Sequence, residues 1–150
     1  MSYDVDVVEV SAVPFVYVER HGTRDQIGAL AMPALDIVWT AVRAAAIETG
    51  HNVFVYRGTG PDDLHIQFGV QVLGAGSPPP ADLETGKTPA GAAIHTKHVG
   101  TYDKLGDAFA TLNAWAVREN RPLANVAWEV YGDWTEDPKQ AETDCYCLLA

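Results

Sequence analysis

The chain has 150 residues, of which 47% are hydrophobic and 20% charged, and its formal net charge is −10. This length and composition fit one globular domain. The acidic balance argues against direct binding of nucleic acid, because phosphate recognition depends on lysine and arginine. It makes a cationic ligand easier to attract than an anionic one.

The sequence has no apolar run that approaches the length of a membrane span, and its acidic N-terminus lacks an apolar signal core. We therefore expect a cytoplasmic protein with no membrane partner. Cys145 and Cys147 stand two apart on a predicted strand, which points both thiols to one face. We expect both to be reduced and buried, and we predict neither a metal site nor a cofactor.

The first half of the chain predicts two strands and then a helix. Residues 5–10 and 15–19 are rich in β-branched and aromatic types, which favour strands. Thr23 with Gln26 fits a capping box at the start of a helix. Apolar residues then follow the helical period and predict one buried stripe, formed by Leu35, Val38, Trp39, Val42 and Ala46.

Proline and glycine mark the limits of this helix in the sequence. Pro33 suits a first helical turn, and Gly50 is expected to end the helix. Two strands follow, at residues 53–56 and 64–73, joined by a loop rich in glycine and aspartate. The glycine- and proline-rich residues 74–89 are interpreted as a crossover between two halves rather than as a domain boundary.

The second half repeats this order of elements. A strand is predicted at residues 92–98, a helix from Tyr102 to Asn120, and strands at residues 125–131 and 143–149. The predicted buried stripe of this helix is Leu105, Ala108, Phe109, Leu112 and Ala116.

An internal repeat explains the shared order. Residues 22–28 read GTRDQIG and residues 100–106 read GTYDKLG, and each copy leads into a helix that carries a tryptophan, Trp39 or Trp115. We predict a duplicated strand–helix–strand–strand module of the α+β class, with two helices on one face of an antiparallel sheet. The two tryptophans should occupy equivalent helical positions.

Strand alternation sorts candidate site residues onto two faces. In residues 128–131 (WEVY), Trp128 and Val130 point one way, and Glu129 and Tyr131 point the other way. We expect the first pair to pack under a helix and the second pair to face away from it. The face with Glu129 would also carry further aromatic candidates, namely Phe54, Tyr56, Tyr146 and Tyr17.

Glu129 is the candidate for ligand recognition because it is a carboxylate in an otherwise apolar strand. A cation about 4 Å away gains on the order of 4 kcal/mol at an effective dielectric near 20. Aromatic rings around that cation add roughly 0.5–2 kcal/mol each. The plain alternatives are a solvent-exposed strand glutamate and aromatic side chains that only fill the core.

The histidines form no pattern typical of catalysis or metal binding. His21 and His98 end strands beside glycines, which favours hydrogen bonding within turns. His51, His65 and His95 share no spacing with carboxylates that indicates a triad or a metal site.

In these segments the chain resembles the GyrI-like small-molecule-binding family, also known as the effector-binding domain of bacterial transcription activators. The matching segments are residues 89–91 (PAG), 98–105 (HVGTYDKL), Trp115 and 128–131 (WEVY), followed by a final hydrophobic strand. The resemblance implies a ligand groove between the two copies. It assigns Glu129 as the buried glutamate that binds cations, with an aromatic wall of Tyr131, Tyr102 and Tyr146.

The resemblance covers the whole chain, which we interpret as one domain with repeat 1 at residues 1–73 and repeat 2 at residues 90–150. The first copy departs from the family pattern. Arg24 occupies the place of Tyr102, and residues 32–33 lengthen the approach to the helix.

Three functions stay open at this point. The first is a stand-alone protein that senses or sequesters apolar, cationic aromatic compounds. The second is a hydrolase that detoxifies cyclopropane-bearing or similar electrophilic antibiotics, in which Glu129 would act on water and Tyr102 or Tyr131 would bind the leaving oxygen. The third is an inhibitor of a protein partner such as gyrase, which rests on analogy with the family. A homodimer is compatible with each.

Overall fold

The computed structural model describes residues 3–60, 62–74, 80 and 82–150. Within these residues the chain forms eight β-strands and two α-helices: β1 (Asp6–Val10), β2 (Pro14–Gly22), α1 (Ile27–Ala44), β3 (Thr49–Gly60), β4 (Asp63–Val72), β5 (Glu84–Lys87), β6 (Gly91–Val99), α2 (Leu105–Arg118), β7 (Leu123–Tyr131) and β8 (Glu142–Leu149). Single turns of 3-10 helix occur at Arg24–Gln26, Tyr102–Lys104 and Pro138–Gln140.

The chain divides into two compact units. The first unit is Ala12–Thr88, and the second unit combines Met1–Ser11 with Pro89–Ala150. In the first unit, antiparallel pairing gives the strand order β3-β4-β2-β5, and α1 packs against β2 and β4. In the second unit the order is β7-β8-β6-β1, also antiparallel, and α2 packs against β6 and β8.

The two units therefore repeat one strand–helix–strand–strand plan, with β2, α1, β3 and β4 matching β6, α2, β7 and β8. This agrees with the predicted α+β class and the predicted duplication. The fourth strand of each unit differs from the prediction. β1 was expected within repeat 1 but pairs with β6 of the second unit. β5 lies inside the predicted crossover and pairs with β2; residues 75–79 and 81 of that crossover lie outside the described residues.

The register of the first unit fixes which strand face meets α1. The indole Nε1 of Trp39 donates to Oδ1 of Asn52 at 3.1 Å, so Asn52 lies on the face of β3 that is turned toward the helix. Because strand side chains alternate, Phe54 and Tyr56 lie on the same face, and Val53 points away.

In the second unit, α2 closes over an apolar core that includes both cysteines. The buried members of this core are Ile94, Leu105, Ala108, Leu112, Ala116, Cys145, Cys147 and Leu149. Both thiols are free and buried on one face, as expected. Burial raises the pKa of the Cys147 thiol to about 12, and burial together with the charge of Glu129 raises the pKa of Cys145 further. Both cysteines therefore act as small apolar residues.

The predicted limits of the first helix are wrong at both ends. α1 begins at Ile27, so Pro33 lies inside it, and it ends at Ala44, so Gly50 lies in β3. The 3-10 turn that precedes α1 confirms the expected cap, since the side chain of Gln26 accepts from the backbone N–H of Thr23 at 2.9 Å.

The two tryptophans do not occupy equivalent positions. The buried stripe of α1 is Ala34, Val38 and Val42, and that of α2 is Ala108, Leu112 and Ala116. In α1 the tryptophan, Trp39, comes one residue after a stripe residue, Val38. In α2 the tryptophan, Trp115, comes one residue before a stripe residue, Ala116. The tryptophans therefore flank opposite sides of matching stripes, and α1 is longer, with 18 residues against 14.

One helical segment, Arg24–Ala44, is long and apolar enough to cross a membrane by length and composition, with a mean hydropathy of 1.4. From the sequence we expected no apolar run that approaches the length of a membrane span. Core helices of soluble proteins and signal sequences meet the same criterion, and three residues of this segment, Ala34, Val38 and Val42, are buried in the fold.

Candidate ligand-binding site

Glu129 is a buried carboxylate in the second unit, with 3% of its surface exposed. The register of β7 and β8 places it opposite Cys145, which belongs to the core beneath α2. Directly opposed residues of an antiparallel pair point to the same face. The Glu129 side chain therefore lies on the α2 side of the strands.

One tyrosine contacts this carboxylate, and a second tyrosine contacts the first. Tyr131, two residues further along β7 and so on the same face, donates its hydroxyl to Oε1 of Glu129 at 2.9 Å. The ring of Tyr102 meets the ring of Tyr131 edge-on, with centroids 5.3 Å apart and planes at 89°. Tyr102 begins the 3-10 turn before α2 and is 57% exposed. The three side chains form a row of contacts from the exposed Tyr102 to the buried Glu129 carboxylate.

The electrostatics of the site keep Tyr131 protonated. Burial raises the pKa of Tyr131 well above its usual value, and the charge of Glu129 and the hydrogen bond to it raise the pKa further. Because the phenol stays neutral, it remains a hydrogen-bond donor to the carboxylate throughout the physiological range. The Tyr131 hydroxyl is thus a fixed donor to the Glu129 carboxylate.

The predicted direction of these side chains is wrong. Glu129 and Tyr131 were expected to face away from the helix, and they face toward it. A period of two separates the two faces of a strand but does not say which one the helix covers. We assumed that the large apolar residue Trp128 would pack under α2, whereas small Ala127 contributes to that packing instead.

Tyr146 lies on the opposite face from Glu129. It is paired with Trp128 across β7 and β8, and the two rings stack with centroids 5.0 Å apart and planes at 9°. His95 of β6 contacts the same tyrosine, with ring centroids 4.8 Å apart. The structure therefore brings Tyr102 and Tyr131 to Glu129 but does not bring Tyr146 there.

The candidates of the first unit fall on two faces. Phe54 and Tyr56 lie on the α1 face, and Phe54 meets Phe68 edge-on with centroids 4.8 Å apart. Tyr17 lies on the other face, stacked with Phe15 at 4.8 Å. Tyr17 is thus not on the face shared by Phe54 and Tyr56. A role for these three in ligand binding stays a prediction, as does the groove between the copies.

A surface depression of about 320 Å³ lies beside α2, lined by Tyr3, Lys104, Asp107 and Thr111. The hydroxyl of Tyr3 contacts Nδ1 of buried His98 at 2.8 Å. His98 Nε2 contacts the carbonyl oxygen of Thr101 at 2.8 Å, which confirms the expected turn hydrogen bond. A carbonyl only accepts, so Nε2 carries a proton. Sequence reasoning missed Tyr3 because 95 residues separate it from His98.

Neither a protein-family model nor a curated protein matches this sequence. Solved structures do match. The C-terminal domain of EcmrR aligns with a TM-score of 0.80 and 18% identity over 100% of this chain and 99% of that one. In the EcmrR–DNA complex the chain spans 57% of EcmrR.

Two further structures are similar over almost their full length. SAV2435, solved bound to tetraphenylphosphonium, aligns with a TM-score of 0.71 and 9% identity over 100% of this chain and 94% of that one. A hydrolase from Listeria innocua aligns with a TM-score of 0.61 and 9% identity, over 97% and 91%. At such identities the likeness establishes the fold, and the fold implied by the resemblance to the GyrI-like family is confirmed.

Proposed function

We propose that the protein binds an apolar, aromatic small-molecule cation, with Glu129 as the counter-charge. The observation that carries this proposal is the buried Glu129 carboxylate with Tyr131 hydrogen-bonded to it and Tyr102 leading to the surface. Burying a carboxylate costs free energy that hydrogen bonds offset in part. A bound cation offsets more of that cost, so a buried carboxylate suits a site that binds a positively charged ligand.

The aromatic neighbours favour a bulky organic cation over a metal ion or a polyamine. Tyr102, which lies edge-on to Tyr131, is exposed at the surface and offers aromatic area for contact with an apolar cation. Each cation–π contact contributes roughly 0.5–2 kcal/mol. The net charge of −10 adds a long-range attraction for cations. SAV2435, which has the same fold, was solved with a ligand of this class.

The test is a calorimetric titration with tetraphenylphosphonium and with triphenylphosphine oxide, a neutral compound of similar aromatic character. We expect the wild type to prefer the cation. Glu129→Gln keeps nearly the same volume and removes the charge, and it should weaken cation binding by roughly 1–3 kcal/mol, the scale of a hydrogen bond to a charged group. Binding of the neutral compound should change little.

The matched control is Glu136→Gln, which removes the same charge from an exposed loop position after β7. This variant should retain wild-type affinity for both compounds. Equal affinity of the wild type for the cation and the neutral compound would contradict the proposal. So would an equal loss of affinity in Glu136→Gln and Glu129→Gln, because net charge rather than Glu129 would then be responsible.

A hydrolase is the second candidate, and the hydrogen bond from Tyr131 to Glu129 favours it. The Glu129 carboxylate could take a proton from the attacking water and pass it to the leaving oxygen, while a tyrosine hydroxyl hydrogen-bonds that oxygen. Mass spectrometry of a small-compound library that includes cyclopropane-bearing electrophiles, after incubation with the protein, separates the two functions. Compounds recovered unchanged support a binder, whereas water adducts that accumulate in the wild type but not in Glu129→Gln support a hydrolase.

A further inference from the structure

Three side chains able to bind a metal ion meet on one face of the first unit. The pairing of β2 with β4 places His21 directly opposite His65, and Asp63 precedes His65 by two residues, so all three point the same way. Their ligand atoms all lie within 4.8 Å of one another. The sequence hides this group because His21 and Asp63 are 42 residues apart.

The geometry of the group is close to that of a chelating site. Nε2 of His21 lies 2.7 Å from Oδ1 of Asp63, and the imidazole rings of His21 and His65 stack with centroids 4.6 Å apart. The side chains of His21 and Asp63 are 61% and 62% exposed. They can therefore rotate without disturbing the core, and water can complete a coordination shell.

A bulge-like irregularity in the strand pairing lies opposite Asp63. The pairing of β3 with β4 is shifted between Gly58 and Gly60, opposite the start of β4. A Cβ on Gly58 would overlap the carbonyl oxygen of Asp63, so only glycine permits this close approach. Bulges of this kind redirect side chains at sheet ends.

We propose that His21, Asp63 and His65 form a binding site for a divalent late transition-metal ion, with Zn²⁺ the best match. Zinc binds imidazole nitrogen and carboxylate oxygen at about 2.0–2.2 Å, so its ligand atoms lie at most about 4 Å apart. Rotation of the exposed side chains closes the remaining gap. Two histidines and one carboxylate leave a fourth position for water. Imidazole ligands disfavour Mg²⁺ and Ca²⁺, which take oxygen ligands.

Charged residues on the same face have opposite signs. Arg57 is paired with His65 across β3 and β4, and its charge opposes metal binding. Glu19 precedes His21 by two residues on β2, and its negative charge favours metal binding.

The alternative is a surface imidazole–carboxylate hydrogen bond without a metal. Calorimetry with ZnCl₂, and with MgCl₂ as the reference salt, distinguishes the two. We expect one Zn²⁺ per chain and no Mg²⁺ binding. His21→Asn and His65→Asn should each weaken Zn²⁺ binding about tenfold or more, at least the loss typical of removing an outer-shell partner. Saturating Zn²⁺ should raise the Tm of the wild type more than that of either variant.

The matched control is His51→Asn, which removes an exposed histidine from the same unit and should bind Zn²⁺ as the wild type does. Circular dichroism checks that each variant is folded. No saturable Zn²⁺ binding by the wild type, or unchanged affinity in both His21→Asn and His65→Asn, would overturn the proposal. A loss in His51→Asn equal to that in His65→Asn would also overturn it, because the metal would then bind elsewhere.

Discussion

The second unit has a glutamate, Glu129, at the strand position where the first unit has Phe54, and this difference has large physical consequences. Phe54 occupies the matching position of β3, two residues before Tyr56, just as Glu129 stands two residues before Tyr131. Phe54 packs edge-on against Phe68, whereas the buried Glu129 carboxylate accepts a hydrogen bond from the Tyr131 hydroxyl. The comparison of the two copies was therefore enough to single out Glu129 from the sequence.

His95 is a second residue whose chemistry depends on contacts across strands. Its Nδ1 lies 2.9 Å from Oδ1 of Asp6 and its Nε2 lies 2.8 Å from Oδ1 of Asp144. Both partners are carboxylates, and a neutral imidazole has only one N–H to donate. The protonated ring satisfies both. The hydrogen bond to Asp144 raises the pKa of His95, burial opposes this, and Asp6 raises it again.

The raised pKa of His95 predicts a pH dependence of stability. The folded state binds this proton more tightly than the unfolded state, in which the pKa of the histidine is 6.5. The stabilisation is therefore fully present below pH 6.5 and is lost as the pH rises through the folded pKa. We expect the difference in unfolding free energy between the wild type and His95→Gln to be largest in acid and to shrink at higher pH.

Urea denaturation at several pH values measures this difference, with His51→Asn as the control that removes an exposed histidine. A difference between wild type and His95→Gln that does not change with pH would show that the proton is not bound preferentially by the folded state.

At the scale of elements, both helices end in the same backbone motif. Ala46 and Asn120 each have φ of 53°, the left-handed conformation. The N–H of Ile47 donates to the carbonyl of Val42, and the N–H of Arg121 donates to that of Ala116. These are the bonds of a Schellman motif, in which glycine is the usual residue at the left-handed position.

Ala46→Gly should therefore stabilise the protein. Relief of the left-handed strain gains about 1–2 kcal/mol, and the greater freedom of glycine in the unfolded chain costs about 0.4–1 kcal/mol. We expect a net increase of about 0.5–1 kcal/mol in the free energy of unfolding, measured by urea denaturation.

Ala45→Gly is the matched control, because Ala45 is also exposed but has φ of −88° and ψ of −1°. It should lower stability by about 0.5–1 kcal/mol, as glycine does in helices. Destabilisation of similar size in both variants would argue that position 46 carries no strain.

The helix limits could be predicted only where a local signal was present. The cap formed by Thr23 and Gln26 has such a signal, and it was confirmed. The left-handed end at Ala46 has none, because alanine is not a residue typical of that conformation. Proline is typical of a first helical turn, but Pro33 carries no signal that α1 begins six residues earlier, at Ile27.

At the scale of the whole molecule, the repeated motif predicted the element order of both units. It could not predict their outer strands. β1 and β5 pair at the edges of β6 and β2, and edge pairing depends on long-range contacts rather than on local sequence pattern. The same limit applies to the candidate site. Alternation grouped Glu129 with Tyr131, but only the register with β8 shows that both face α2.

The most direct measurement of the central claim is a crystal structure of the protein with tetraphenylphosphonium bound. We expect the ligand to contact the Glu129 carboxylate, with the phosphorus within about 6 Å of the centroid of the Tyr102 or Tyr131 ring, the range over which aromatic rings attract a cation. A cation bound at a site that contacts neither Glu129 nor these tyrosines would contradict the claim that this carboxylate recognises the ligand.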